Sequence, residues 1–216
     1  MTIAWALFAP AVLLLFFPAD RLLSSSVQLR SFEYFRRLED SPHRRPWWWV
    51  PSLWIDPLRG FGGVYLLDRA CGIEPDRWAL LHSPAFWMMT ALLILAIVCQ
   101  LLTRRGDGEA LLAPMGFVAG MIAALAHWQV ASIGLAVAVV GVFGFRDFNG
   151  FFVLGLPAVV GLAFALEPHP AWIVLVIGPL VLPVVLSFLM QRHLEIPAHN
   201  ASNSFDADPY PPGQYR

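Results

Sequence analysis

Lysine is absent from this 216-residue sequence, and charge of either sign is scarce: 14 basic residues, all arginine, and 15 acidic ones make up 13% of the chain. A soluble domain ordinarily carries roughly 25% charged residues, so the ionic surface that holds such a domain in water is missing. A formal net charge of −1 offers no concentrated basic surface, which removes nucleic acid as a partner. The lack of lysine reads as a composition bias. Arginine nonetheless brings its own chemistry, stacking on aromatic rings and gripping carboxylates or phosphates through two bonds at once.

Only two cysteines occur, Cys71 and Cys99, which is too few for a disulfide framework, and nothing in their spacing favours a bridge. Cys99 falls in an apolar block and is expected to pack as a small hydrophobe. The tight motifs of catalysis are missing too: there is no H-E-x-x-H, no paired C-x-x-C and no nucleophile elbow. Ser132, five residues from His127, comes nearest to a hydroxyl–imidazole pair. A small hydroxyl in an apolar helix more often bonds its own backbone. No carboxylate or cation stands inside an apolar block, where ion-coupled carriers generally need one; Gln100 and Gln129 are the strongly polar side chains there.

What the chain does contain is long hydrophobic runs. Between Ser83 and Gln191 the charged residues are Arg104, Arg105, Asp107, Glu109, Arg146, Asp147 and Glu167, gathered in three tight clusters. These clusters leave apolar blocks near Pro84–Leu102, Ala110–Ala126, Val130–Phe145, Gly150–Leu166 and Ala171–Met190, to which Ile3–Phe17 adds a first. A helix crossing a bilayer needs roughly 17–25 apolar residues. The uncharged run from Ala110 to Phe145 would make about 54 Å of helix, so it must fold back, and His127-Trp128-Gln129 is the polar break available. The expectation is an all-α, polytopic membrane bundle of about six transmembrane helices. The alternative has five, with His127 inside the membrane. Ile3–Phe17 lacks a basic leader and a good cleavage site, so it reads as a retained span.

The implied organisation is a first transmembrane helix over 1–19, an interfacial segment over 20–83, a five-helix bundle over 84–190 and a disordered tail over 191–216. The interfacial assignment rests on charge and aromatics together. Phe32, Phe35 and Leu38 recur at helical spacing beside Arg30, Arg36 and Arg37, which describes an amphipathic helix on a membrane surface. Arg44-Arg45-Pro46-Trp47-Trp48-Trp49 follows, with rings suited to the headgroup level. Val50–Leu67 is nearly apolar enough to span, but Pro51, Asp56, Pro57, Arg59 and three glycines assign it to the interface or to packing against the bundle.

Small residues recur at helical spacing in the apolar blocks: Gly116 with Gly120, Gly134 with Ala138 and Gly141, and Gly161 with Ala165. Such faces let helix backbones approach closely, within the bundle or between copies and other membrane proteins. Pro114, Pro157, Pro179 and Pro183 fall inside spans, where each removes a backbone donor.

Three groups of side chains are candidate sites. His127, Glu167 and His169 sit in two turns on the same side of the six-span arrangement, and imidazole with carboxylate suits zinc or iron if they converge. Arg36, Arg37, Arg44 and Arg45 are candidates for lipid headgroups, although Glu33, Glu39 and Asp40 lie close. Arg146, Asp147 and Asn149 form either an interfacial turn or an ion gate. No cofactor can be assigned from these residues. The expected partner is the lipid bilayer, in the cell membrane, with residues 20–83 cytoplasmic. Near the span ends Arg21, Arg30, Arg36, Arg37, Arg69 and Arg77 stand against Arg104, Arg105, Arg146 and Arg192 on the other side. The expected role is non-catalytic, a subunit or scaffold of a membrane complex. A small transporter or channel is the alternative, and a metal-dependent membrane enzyme the second.

Overall fold

The computed structural model describes residues 3–17, 27–33, 52–72, 83–102, 111–166 and 172–199. Within them lie seven helices and three short strands. In chain order these are α1 (Trp5–Phe16), β1 (Val27–Arg30), α2 (Ser52–Cys71), α3 (Pro84–Leu101), β2 (Leu111–Leu112), α4 (Met115–Leu125), α5 (Trp128–Phe145), α6 (Asn149–Leu166), α7 (Ile173–Met190) and β3 (Leu194–His199). Four of them, α3, α5, α6 and α7, have 18 residues each and are long and apolar enough to cross a membrane. At 1.5 Å per residue each extends about 27 Å.

Helix directions follow from contacts at the two ends. The Ala4 N–H donates to the Ala70 carbonyl at 3.1 Å, so the start of α1 lies against the end of α2. Arg59, near the start of α2, donates to the Phe17 carbonyl at the end of α1, and the two helices are antiparallel. In α5 and α6, Gly134 lies against Val159, Ala138 against Gly155 and Gly141 against Gly150, which is also an antiparallel register. The strands then gather one end of the bundle. β3 pairs antiparallel with β1 and parallel with β2 in the order β1-β3-β2. The Phe32 ring, just past β1, sits edge-on to Phe143 at 6.1 Å and Phe148 at 5.9 Å, at the turn between α5 and α6. The sheet end therefore holds the C-termini of α1, α5 and α7 and the N-termini of α2, α4 and α6. α3 also ends there, against β2.

Each small-residue pair but one is a helix contact. Gly60 abuts the Phe117 carbonyl and Gly120 the Pro57 carbonyl, so α2 and α4 cross backbone against backbone. Gly116 rests on the Pro57 ring, where a methyl group would come within 3.0 Å. Gly161 has nothing within 4 Å and faces outward. The core between the helices is filled by Phe86, Met89, Leu93, Phe117, Phe152 and Leu180, all fully buried.

Val50–Leu67, expected at the interface or packed against the bundle, falls mostly in α2, which packs along α1 and reaches from the sheet end to the opposite end. Three expectations are corrected. The fold is mostly helical but not all-α, because three strands tie together segments far apart in sequence. The block from Ala110 to Ala126 is not one long helix. Leu111–Leu112 is extended, and Pro114, which disfavours helix in the residue before it, stands at the N-cap of an 11-residue α4. In the supposed tail, residues 194–199 form β3, with Pro197 tolerated because β2 covers only Leu194 and Glu195, leaving β3 an edge beyond them. The break expected at His127 is present, between α4 and α5. The amphipathic helix expected from Phe32 to Leu38 falls, after Glu33, outside the described residues, as do 200–216.

Candidate functional site

The most heavily engaged polar group is Arg59, 6% exposed, where α1, α2 and α4 meet. Its Nη1 donates to the Asp56 carboxylate at 2.8 Å, one helical turn earlier on α2. Its Nε donates to the Leu14 carbonyl at 3.2 Å and its Nη2 to the Phe17 carbonyl. The guanidinium carbon lies 5.8 Å from the centre of the Phe117 ring on α4. Local sequence explains the placement. Asp56 and Arg59 are spaced i,i+3, so they share a face of α2, and Gly60 beside them lets α4 come close.

That geometry answers a need of the backbone. The last carbonyls of a helix have no partner within it. α1 stops after 12 residues, so these oxygens end among packed helices, and Arg59 supplies the donors. A cation there also meets the negative end of the helix dipole. With donors spent on a carboxylate and two carbonyls, Arg59 is a clamp between helices. Sequence reasoning counted Asp56 and Arg59 among the residues that assign Val50–Leu67 to the interface or to packing against the bundle. The signal that would have found the clamp was their i,i+3 spacing next to Gly60 and a run of apolar residues.

His127, by contrast, is exposed at the N-cap of α5, its ring 6.4 Å from that of Trp128. Glu167 and His169 lie outside the described residues, flanked by Leu166 and Trp172, which are at the same end of the bundle as His127. Among the described residues no three His, Cys, Asp or Glu side chains are grouped to hold a metal. Arg36, Arg37, Arg44 and Arg45 also fall outside the described residues.

The turn between α5 and α6 is a helix start. Asn149 donates its backbone N–H to Asp147 Oδ1 and its side-chain amide to Oδ2, both at 3.1 Å. Arg146 takes the left-handed conformation that closes α5, with φ 53°. Two buried amide atoms have no hydrogen-bond partner among the described residues, Asn149 Oδ1 and Gln100 Nε2. The hydroxyls are spent locally: Ser132 on the Gln129 carbonyl at 3.2 Å, and Thr90 on the Phe86 carbonyl at 2.9 Å. Ser187 closes the end of α7 on the Arg192 carbonyl at 2.6 Å. Cys71 and Cys99 are not joined in a disulfide; Cys99 faces outward from α3 rather than packing inside.

Comparison with known proteins adds no further assignment: no family model, no curated protein and no solved structure matches this chain.

Proposed function

We propose that this chain is a multi-pass protein of the cell membrane with a structural role, a non-catalytic subunit or scaffold of a membrane complex. The observation that carries the reading is where its apolar surface points. α7 turns Phe188, 82% exposed, with Val185 and Leu189 away from the bundle, and α5 does the same with Val139, Val140 and Phe143. Contiguous apolar faces of this kind suit lipid or another membrane helix, not water. Inward, α2 meets α4 and α5 meets α6 with glycine against main-chain carbonyl, contacts suited to close helix packing.

The six-span count is revised to seven in this proposal. The outward face of α2 presents Trp54, Leu58, Phe61 and Tyr65, a stripe at helical spacing that suits a lipid contact. Its charges lie toward its two ends, Asp56 and Arg59 at one and Asp68 and Arg69 at the other. The Arg69 guanidinium lies 5.4 Å from the centre of the Tyr65 ring, an arrangement suited to the membrane–water boundary. α1 and α4, with 12 and 11 residues, are too short to span alone. Flanked by α2 they need only part of the bilayer thickness, and extended backbone before α4 is tolerable because Leu111 and Ala113 are buried in protein.

Isolation in mild detergent tests the role. A second protein should be recovered in fixed proportion, and deleting this chain should lower that protein's abundance in the membrane. Recovery of the chain alone at every detergent tried, together with solute uptake by proteoliposomes, would replace the scaffold reading with a transporter.

A further inference from the structure

We infer that the sheet end of the bundle faces the cytoplasm and that the opposite end, with the N-terminus of α1, faces out. The inference rests on the membrane reading and adds a direction to it. Its origin is the course of α2. Taken as one surface segment, residues 20–83 put six arginines near span ends on one side and leave four on the other, a margin too thin to decide. Once α2 connects the two ends of the bundle, that segment divides.

Arg30 of β1, Arg146 after α5 and Arg192 after α7 all lie at the sheet end. The connection from α1 to α2 begins and finishes at this end, and its sequence adds Arg21, Arg36, Arg37, Arg44 and Arg45. The connection from α3 to β2 does the same and adds Arg104 and Arg105. At the opposite end stands Arg69, in the last turn of α2, and the sequence of the connection from there to α3 adds Arg77. Arg59 is held inside the bundle and counts for neither side. Short connections rich in arginine are retained on the cytoplasmic side during insertion, and acidic residues contribute little to that choice. The bias is therefore strongly one-sided, and every connection longer than a tight turn agrees with it except the one bearing Arg77. The same sidedness places His127 and the connection bearing Glu167 and His169 outside.

Thiol labelling of cells expressing the chain tests this directly. With Cys71 and Cys99 replaced by serine, His127→Cys reports one end and His193→Cys the other, both positions being exposed and at turns. A membrane-impermeant maleimide should label the His127→Cys variant in intact cells. It should label the His193→Cys variant only after permeabilisation. As a second measurement that needs no substitution, green fluorescent protein fused after Arg216 should be bright, and alkaline phosphatase fused there inactive. The reverse labelling pattern, or an active phosphatase fusion, would overturn the orientation. Labelling of both variants from outside would overturn the alternating course of the helices on which it depends. Loss of the chain from alkaline-washed membranes would instead overturn the membrane reading itself.

Discussion

The bundle is fastened by two different means in its two parts. α1, α2 and α4 meet around a buried guanidinium, whereas α5 and α6 meet along a seam of Gly134, Ala138, Gly141, Gly150 and Gly155 that contains no charge. Helix length accounts for the difference. In the proposed membrane setting α5 and α6, with 18 residues each, are long enough for their end carbonyls to reach the water boundary, and close packing is all the pair requires. α1 has 12, so its C-terminal oxygens stop where a hydrogen-bond donor must come from protein. A charge inside such a bundle is therefore a consequence of a short neighbour, and the partner it serves is a backbone.

The largest effect should come from breaking the polar part. Arg59→Leu removes a donor from the Asp56 carboxylate and from the Leu14 and Phe17 carbonyls at once, and loss of one member of a buried pair costs about 3–5 kcal/mol. Unfolding of the purified protein in detergent should show a loss of that size. Adding Asp56→Asn should recover only part of it, because the Leu14 and Phe17 carbonyls remain without donors. Full recovery in the double variant would mean that the carboxylate alone held Arg59 and that helix length is irrelevant.

The apolar part should yield to volume instead. A methyl group at Gly141 would overlap the Gly150 carbonyl, while one at Gly161 meets nothing within 4 Å. Gly141→Ala should cost about 1–3 kcal/mol, the range for overpacking, and Gly161→Ala should stay within about 0.5 kcal/mol. Equal effects at the two positions would dissolve the seam as the source of stability.

The same contrast explains what was legible in the sequence. Runs such as Ile173–Met190 and breaks such as Arg146–Asn149 stand out because hydrocarbon length and charge are local properties. Gly116 with Gly120, and Gly134 with Gly141, were identifiable as contact faces for the same reason, though not what they touch. α2 was legible only as a segment at the interface or against the bundle, because its charges were counted one by one, when Asp56 and Arg59 pair one turn apart. Gly60 and Gly63, counted against a span, are where α4 and α1 approach. The strands were missed although Val27-Gln28-Leu29-Arg30 and Leu194-Glu195-Ile196 alternate apolar with polar residues, because β1 and β3 are separated by most of the chain and each run is short beside the hydrophobic blocks. Of the candidate sites, His127 and the turn of Arg146, Asp147 and Asn149 can be placed, and the clamp at Arg59 was missed because two of its partners are main-chain oxygens that no side-chain motif encodes.

Gln100 offers the smallest and most discriminating effect. It lies in the last turn of α3, 8% exposed, with its Nε2 buried and without a hydrogen-bond partner among the described residues. A buried donor left unpaired costs about 1–3 kcal/mol, so the residue is a net burden unless something else uses it. Gln100→Leu keeps roughly the same volume and removes the donor, so the protein should unfold at a slightly higher temperature, by an amount worth about 1 kcal/mol. In a scaffold, recovery of the co-purifying protein should not change. If stability rose while that recovery fell, the amide would be held unpaired for a partner, the pattern expected where function is kept at the expense of stability. If stability fell, Gln100 would belong with Arg59 as a second polar fastening, and the division of the bundle into a polar part and an apolar part would fail at α3.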